Sequence, residues 1–292
     1  MEMERNVPIQ YCILDPTGNI TALVESPVEA ARQPAVAAAL MERHRSVEQV
    51  GFLRPAASPS DPVRGTLRMA GGEFCGNASM CAAALLLLRR QLKGGGAAAP
   101  SDPVTVRLRV SGAAQPVEVR LWRESGDGFH GGVLMPPALR IAEIEFAFAH
   151  TAGLLPVVRM EGISHIIILP DSPFWGLRKD RAAAERAVRA WCGDLAADGL
   201  GLLFLSGDTP RRRLTPLVYI PGSETVFWEN SCASGSSAVG MYLAAKAGAA
   251  VDLTLEEPGG SLRVASDPSQ GETWLYGRVR LLRQGAFHPR PC

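Results

Sequence analysis

The sequence lacks the features that mark several common classes of protein. Its formal net charge is only +1, and charged residues make up 20% of its 292 residues, so no basic surplus is available for nucleic acid or an acidic membrane surface. The most apolar run, residues 82–88, is far shorter than the roughly 20 apolar residues that a membrane-spanning helix needs. The N-terminus lacks the basic start, apolar core and small-residue cleavage site of a secretory signal, so we expect a cytoplasmic protein. A small-molecule ligand suits this composition best.

Spaced pairs of metal-binding residues are also absent. The six cysteines include no CxxC pair and the five histidines no HxxxH spacing, which argues against structural zinc. A chain of this size needs no disulfide scaffold, so we expect reduced thiols. The three lysines all fall near predicted helix ends and are poor candidates for the Schiff base of a pyridoxal enzyme. We therefore expect neither a metal nor a cofactor. The residues concerned are Cys12, Cys75, Cys81, Cys192, Cys232, Cys292, Lys93, Lys179 and Lys246.

The first half of the chain alternates strand and helix patterns. The segment IQYCILDPTGNITALVES predicts strand, turn and strand, residues 27–45 predict a helix, and VEQVGFL predicts a strand with Gln49 at its start. A strong helix pattern then begins at Cys75, and three short strand patterns follow it. Residues 136–140 indicate a crossing between lobes. The sequence thus predicts an N-terminal lobe of residues 1–136.

The second half, residues 137–292, repeats this plan. A strand at HIIILP, a helix over residues 181–192 and strands at GLLFLS and LTPLVYIP precede a helix that again starts at a cysteine, Cys232. Two strand patterns around a PGG turn close the chain. The fold class we predict is therefore α/β (α+β), with two lobes of similar plan. An internal duplication is a hypothesis that these two cysteine helices suggest.

A thiol at a helix start is suited to proton transfer. The positive end of the helix dipole and unpaired N–H groups stabilise the thiolate. Small residues after each cysteine let a carboxylate approach those N–H groups, which stabilise the charge that develops when an α-proton leaves. If one cysteine takes the proton and the other donates from the opposite face, the stereocentre inverts. The small and polar residues in question are Gly76, Asn77, Ala233, Ser234 and Gly235.

Other candidates carry a plain structural interpretation beside the functional one. An isolated cysteine is more often a small buried hydrophobe than a catalyst, and we assign that role to the four cysteines other than Cys75 and Cys232. His165 either orients the site or caps a strand. Glu229, three residues before the second cysteine, is a candidate for binding a substrate amine.

The motifs EFCGNASMCAA, NSCASGSSA and PGGSL resemble those of diaminopimelate epimerases, and the resemblance covers nearly the whole chain. It implies two pseudo-symmetric lobes, each a curled mixed sheet around a central helix. It also implies that Asn19 and Gln49 contact the substrate, and that the GISH segment ending at His165 replaces the family's Gly-Asn-Pro-His. A homodimer is implied as well.

Departures from that family's pattern narrow the range of expected substrates. Ser223 and Glu224 stand where diaminopimelate epimerases have a Glu-Arg pair, and Ile163 replaces an asparagine. A buried distal carboxylate would then lack its arginine, at a cost of several kcal/mol. The segments MAGGEFCGNASM and PLVYIPGSETVFWENSCASGSSAVG are more similar to the histidine racemases that supply D-histidine for opine-type metallophores such as staphylopine. This resemblance implies L-histidine as substrate and Cys75 and Cys232 as the catalytic pair.

Three other functions stay open at this point, besides a related isomerase with a single acid-base residue, against which the second cysteine argues. The chain could racemise or epimerise another amino acid, including diaminopimelate. It could bind an amino acid without chemistry, in which case it would not exchange an α-proton with solvent deuterium. A thiol redox protein is the third class, but Cys75 and Cys81 are six residues apart, which is not a CxxC spacing.

Overall fold

The structure is a computed structural model that describes residues 7–58, 60–92, 102–124, 128–208 and 210–288. The described residues form a mixed α/β protein of sixteen strands and four α-helices. The chain divides into two compact units, the first made of residues 1–131 and 278–292 and the second of residues 132–277.

The first unit contains a mixed sheet. Its strands are β1 (Ile9–Asp15), β2 (Thr21–Val24), β3 (Gln49–Pro55), β4 (Val63–Met69), β5 (Val104–Val110), β6 (Val117–Arg123), the start of β7 (Gly128–Leu134) and the end of β16 (Glu272–Phe287). The strands follow this order, and β16 pairs with the free side of β1. The pairs β2–β3 and β4–β5 are parallel, so each needs a crossover connection.

Two helices supply those crossovers, α1 (Gln33–Arg43) and α2 (Gly76–Leu92). Helix α1 buries Val36 and Leu40 against an apolar cluster on β1–β3. Helix α2 is apolar almost all round, which is typical of a buried helix, and it packs against β2 to β6. Its position is therefore set by the strands on both sides of it in the chain.

The second unit also contains a mixed sheet. Its strands are the end of β7, β8 (Arg140–Phe148), β9 (Thr151–Met160), β10 (Ile163–Ile168), β11 (Leu200–Asp208), β12 (Arg211–Ile220), β13 (Thr225–Trp228), β14 (Val251–Glu257), β15 (Gly260–Asp267) and the start of β16. The order is β15-β14-β12-β11-β10-β9-β8, with β13 beside β12 and β16 beside β15. Here β10–β11 and β12–β14 are the parallel pairs.

Helices α3 (Arg181–Leu195) and α4 (Ala233–Ala247) make the crossovers of this unit. The Asp180 carboxylate accepts the Ala183 N–H at 2.9 Å and caps α3, whose apolar face packs Trp191 into a buried cluster. Helix α4 packs against β9, β10, β14 and β15. The Cβ that a side chain would add at Gly240 would lie 2.3 Å from Val264, so a small residue there lets α4 lie close to β15.

The structure confirms most of the predicted elements, including both helices that begin at a cysteine. The sequence patterns did not predict β4, β8, β9 or β13. The predicted helix over residues 27–45 was too long: α1 begins at Gln33, after a 3₁₀ turn at Ala30–Arg32, with Pro34 in its first turn where a missing N–H costs nothing. Lys93 and Cys292 lie outside the described residues.

The compact units are bounded differently from the lobes that the sequence predicts. The first unit ends at residue 131 rather than 136, and it includes residues 278–292. The reason is β16, whose C-terminal half pairs with β1, for example Ile9 with Phe287. The predicted boundary between two lobes, after residue 136, remains a prediction. None of the described helices combines the length and the apolar character needed to cross a membrane.

Candidate active site

The first predicted cysteine, Cys75, lies immediately before α2 and is buried. Its sulfur accepts the N–H of Ala78 at 3.3 Å, and its carbonyl accepts the N–H of Ser79 at 3.0 Å. The Ser79 hydroxyl adds a second bond to the same carbonyl at 2.7 Å. The sulfur of Cys75 is therefore held at the positive end of α2, as the sequence predicts.

Neighbouring strands bring polar side chains to this helix start. The Cys75 thiol donates to Gln49 Oε1 at 2.7 Å, and Gln49 is the first residue of β3. The amide of Asn19 is buried and donates from Nδ2 to Glu48 at 3.0 Å, while its Oδ1 has no hydrogen-bond partner among the described residues. Gly76 and Asn77 begin α2 and are buried. The structure thus gathers Cys75 with Gln49, and Asn19 with the residue next to Gln49.

The segment before Cys75 is held by the turn between β5 and β6. Ser111 donates its hydroxyl to the Glu73 carbonyl at 2.9 Å and accepts the Met69 N–H at 2.9 Å. Gly112 has φ +70°, and a Cβ there would lie 2.3 Å from the backbone nitrogen of Phe74. Only glycine fits this close approach, which fixes the path of the chain into α2.

The second predicted cysteine, Cys232, is the N-cap residue of α4 and is buried. Its sulfur accepts the N–H of Gly235 at 3.3 Å, and its carbonyl accepts the N–H of Ser236 at 2.9 Å. A Cβ at Gly235 would lie 2.7 Å from Leu203 and 3.0 Å from the Cys232 sulfur. The missing side chain at Gly235 thus makes room for Leu203 and for the Cys232 sulfur, and the expected approach of a ligand to this helix start stays a prediction.

A buried carboxyl that the sequence analysis did not single out lies at this helix start. Glu257, the last residue of β14, accepts the backbone N–H of Cys232 at 2.7 Å through Oε2 and the hydroxyl of Ser236 through Oε1. The sequence does carry a signal for it. Side chains alternate between the two faces of a strand, and in DLTLEE the buried face holds Leu253, Leu255 and Glu257. A carboxyl on the apolar face of a strand indicates a specific polar partner.

Charge near Cys232 opposes ionisation of its thiol. Burial raises its pKa well above the usual value, the negative charges of Glu229 and Glu257 and a hydrogen bond with Glu229 add to this, and the Gly235 N–H lowers it less. Burial also raises the pKa of Glu257 to about 8. The expectation that the helix start stabilises a thiolate is therefore not met at Cys232, because burial and carboxyls outweigh the helix end.

His165 lies on β10 opposite Gly201 of β11 and is fully buried. A Cβ at Gly201 would lie 2.3 Å from its ring nitrogen Nδ1, so this glycine makes room for the imidazole. Neither ring nitrogen has a hydrogen-bond partner among the described residues. Burial lowers the pKa of His165 to about 3, so the ring is neutral. Leu203, on the same face of the sheet, contacts the site of Gly235.

The remaining candidates separate into buried and surface residues. Cys12, Cys81 and Cys192 are buried free thiols with raised pKa values, to about 12 for Cys12, in each case chiefly because of burial. Lys179 and Lys246 are exposed. Across the described ranges, no group of three or more His, Cys, Asp or Glu side chains is arranged to hold a metal ion.

Comparison with known proteins gives matches along nearly the whole chain. A family model described as the histidine racemase CntK N-terminal domain matches residues 8–287. A histidine racemase of Staphylococcus aureus is 30% identical over 288 residues, which cover 97% of this chain and 98% of the relative. A histidine racemase of Fusobacterium nucleatum subsp. nucleatum is 26% identical over 294 residues, covering 98% and 99%.

The fold is similar to that of a solved racemase-type enzyme. A hydroxyproline epimerase from Agrobacterium vitis superposes with a TM-score of 0.65 at 14% identity, covering 98% of this chain and 94% of that one. This likeness confirms the mixed α/β fold class. The resemblance found in the cysteine motifs is confirmed by the family match, and the chain belongs to the histidine racemase CntK family.

Proposed function

We propose that this chain interconverts L-histidine and D-histidine without a cofactor, with Cys75 and Cys232 as the two acid-base groups. The observation that carries the proposal is the pair of buried cysteines at the starts of α2 and α4 in a member of the histidine racemase family. Each sulfur accepts an N–H from the first turn of its helix, at 3.3 Å in both cases.

The proton balance of the reaction is simple. One cysteine, as thiolate, takes the proton from the α-carbon and becomes a thiol, while the other, as thiol, gives its proton to the opposite face and becomes a thiolate. The configuration inverts, no net proton is consumed, and the pair is left ready for the reverse reaction. Burial, and after it the charge of Glu229, favours the thiol form of Cys232, so we assign Cys232 as the proton donor in the first turnover.

The substrate carboxylate gains negative charge as the α-proton leaves. We propose that the N–H groups at the two helix starts, those of Gly76 and Asn77 and those of Ala233 and Ser234, stabilise it, while Gly235 donates its N–H to the Cys232 sulfur and lacks a side chain that would obstruct the substrate. These donors lie at the positive ends of helix dipoles, so they bind the carbanion-like transition state more strongly than the ground state.

Four further side chains are proposed to bind the rest of the substrate. Asn19 has a buried amide oxygen with no hydrogen-bond partner in the described part of the chain, which suits a substrate ammonium. Gln49 contacts the Cys75 thiol and can orient it. Glu229 contacts Cys232 and is a candidate for the substrate amine. The neutral ring of His165, whose nitrogens have no partner within the described ranges, can donate one hydrogen bond and accept another.

Several wider properties are part of the same proposal. The two lobes are pseudo-symmetric in the manner of diaminopimelate epimerases, each curled around its cysteine helix, and the enzyme is a homodimer that makes D-histidine for an opine metallophore. A cytoplasmic location fits the chemistry, since Cys12, Cys75, Cys81, Cys192 and Cys232 are free thiols and a reducing compartment keeps them so.

The test is a racemisation panel on reduced, purified protein. All proteinogenic L-amino acids and diaminopimelate are incubated with the protein in the presence of a chelator and without pyridoxal phosphate, and the products are separated by chiral chromatography. We expect L-histidine to approach an equal mixture of enantiomers, because enantiomers have equal free energies. Turnover that requires a metal or pyridoxal phosphate, or that is confined to another amino acid, would overturn the proposal.

A further inference from the structure

Glu257 is a buried titratable group that the proposed reaction does not use. It ends β14, and the exposed fraction of the residue is 8%. A carboxyl in such a place is costly unless its oxygens are paired. Both oxygens are paired, one with the backbone N–H of Cys232 and the other with the hydroxyl of Ser236.

These contacts hold the chain on both sides of the cysteine. The N–H of Cys232 lies before the first helical residue, so α4 itself offers it no carbonyl, and Oε2 of Glu257 fills that place at 2.7 Å. The Ser236 hydroxyl ties the first turn of α4 to Oε1 of the same carboxyl. The turn that follows Glu257 adds a third bond, from the Gly259 N–H to the Asn230 carbonyl at 2.7 Å.

We infer that Glu257 is a positioning residue for the second cysteine, whose carboxyl fixes the backbone at Cys232 and the first turn of α4 and thereby aims the sulfur. The inference rests on the proposed function for its catalytic consequence. Its structural basis is independent of the substrate, because all three contacts lie within the second unit.

The same carboxyl also sets the charge next to the sulfur. The charge of Glu229 adds to burial in raising the pKa of Glu257, whereas the Ser236 hydroxyl and the Cys232 N–H lower it. The charge of Glu257 in turn raises the pKa of the Cys232 thiol. With a pKa of about 8, raised chiefly by burial, Glu257 is mostly protonated at neutral pH and becomes a negative neighbour of Cys232 only in alkaline solution. The positioning contacts with Cys232 and Ser236 therefore operate at neutral pH without a full charge beside the sulfur.

Two substitutions separate position from charge. Glu257→Gln keeps a carbonyl oxygen for the Cys232 N–H and an amide that can pair with Ser236, but it cannot ionise. Glu257→Ala removes both contacts. The matched control is Glu256→Gln, because Glu256 is the neighbouring residue, is partly exposed and forms surface ion pairs with Arg211 and Arg213 at 3.6 and 3.7 Å.

The readouts are kcat and KM for histidine racemisation, and the rate of iodoacetamide alkylation at Cys232 and Cys75 against pH, measured by mass spectrometry without substrate. For Glu257→Ala we expect kcat to fall about 10²-fold, the size of effect that a misplacement of about 1 Å produces, with little change in KM. Glu257→Gln should recover most of this loss and shift the alkylation midpoint of Cys232, but not of Cys75, to lower pH. Glu256→Gln should match the parent.

A folded Glu257→Ala variant with the parent's kcat overturns the inference, as does an equal change in alkylation of both cysteines, which would indicate general loosening. If the alanine variant does not fold, Ser236→Ala decides, because it removes the Oε1 contact and keeps the carboxyl, and a folded Ser236→Ala variant with the parent's kcat overturns the inference. A parent protein that racemises no amino acid defeats the proposed function instead, and the alkylation data still report whether Glu257 controls Cys232.

Discussion

The starts of α2 and α4 share one backbone arrangement and differ in the side chains around it. In each, the cysteine sulfur accepts the N–H three residues on at 3.3 Å, and the cysteine carbonyl accepts the N–H four residues on. The serine four residues on differs in role: Ser79 donates its hydroxyl back to the Cys75 carbonyl, whereas Ser236 donates to Glu257.

The two sulfurs contact different kinds of side chain. Cys75 donates to the neutral amide of Gln49, while Cys232 lies beside the carboxyls of Glu229 and Glu257. The segment before Cys75 is held by a serine hydroxyl and a glycine turn, and that before Cys232 by a carboxyl and a glycine N–H. A helix start therefore fixes where a thiol lies, whereas burial and the surrounding side chains determine how readily the thiol gives up its proton.

Removing either sulfur should have the largest effect. Inversion needs one proton carrier on each face of the α-carbon, so Cys75→Ala and Cys232→Ala should each lower the rate of racemisation by at least about 10²–10⁴-fold, the usual contribution of a general acid or base. Chiral chromatography measures this loss. Cys81→Ala and Cys192→Ala, which alter buried thiols on α2 and α3, are the matched controls and should racemise like the parent. Full activity in a folded Cys75→Ala or Cys232→Ala variant contradicts the two-base mechanism.

Adding a methyl group at Gly235 should disturb only the second helix start. The new Cβ would lie 2.7 Å from Leu203 and 3.0 Å from the Cys232 sulfur, so one of them must move. We expect Gly235→Ala to destabilise the fold by about 1–3 kcal/mol and to lower kcat up to about 10²-fold. Thermal unfolding and steady-state kinetics measure these effects. Gly222→Ala is the control, since a Cβ there meets nothing within 4 Å; equal behaviour of the two variants would show that the crowding is unimportant.

Placing a carboxylate beside Cys75 should make the two helix starts alike in charge. In Gln49→Glu, a negative group would face the thiol that now contacts an amide 2.7 Å away. A nearby negative charge raises a thiol pKa, and a shift of one unit corresponds to about a tenfold lower thiolate fraction near neutral pH. We expect alkylation of Cys75 to move to higher pH and racemisation to slow about tenfold. Gln10→Glu, on the exposed side of β1, is the control. If the pH profile of Cys75 alkylation does not shift, then a neighbouring charge does not account for a difference between the two cysteines.

The buried histidine of the second unit should be visible in acid stability rather than in charge at neutral pH. The pKa of His165 is lowered to about 3 by burial, so between about pH 3 and 6.5 the unfolded chain binds one more proton than the folded chain. Stability from this group is therefore complete above about pH 6.5 and falls as pH drops toward 3. Urea unfolding against pH should show a shallower acid slope in His165→Gln than in the parent. His150→Gln, at an exposed position, should keep the parent's slope.

Periodic patterns predicted the elements that matter most for the site. Cysteines followed by small residues and a long apolar run placed Cys75 and Cys232 at helix starts, and both placements are confirmed. Two of the strands that were not predicted illustrate why some elements were missed. Strand β8 lies at the edge of the sheet in the second unit and is largely exposed, so burial does not impose a clear pattern on it. Strand β4 does alternate exposed and buried residues, so its pattern was present in the sequence and was overlooked.

Contacts between residues far apart in sequence could not be predicted in the same way. Gln49 was singled out by resemblance, yet its bond to Cys75 depends on the pairing of β3 with its neighbours. Glu257 was overlooked because a single glutamate before a PGG turn resembles an ordinary turn residue. Its position beside Cys232 arises from the parallel pairing of β12 with β14, which brings the end of β14 to the start of α4.

Local sequence specifies the helical segments of this protein, the cysteine at which two of them begin and the small residues that follow each cysteine. The chemistry around each sulfur depends instead on tertiary contacts. A proton affinity depends on burial and on charges a few ångströms away, and these come from strands distant in the chain. That is why two cysteines with the same local geometry have different neighbours, a neutral amide for Cys75 and two carboxyls for Cys232.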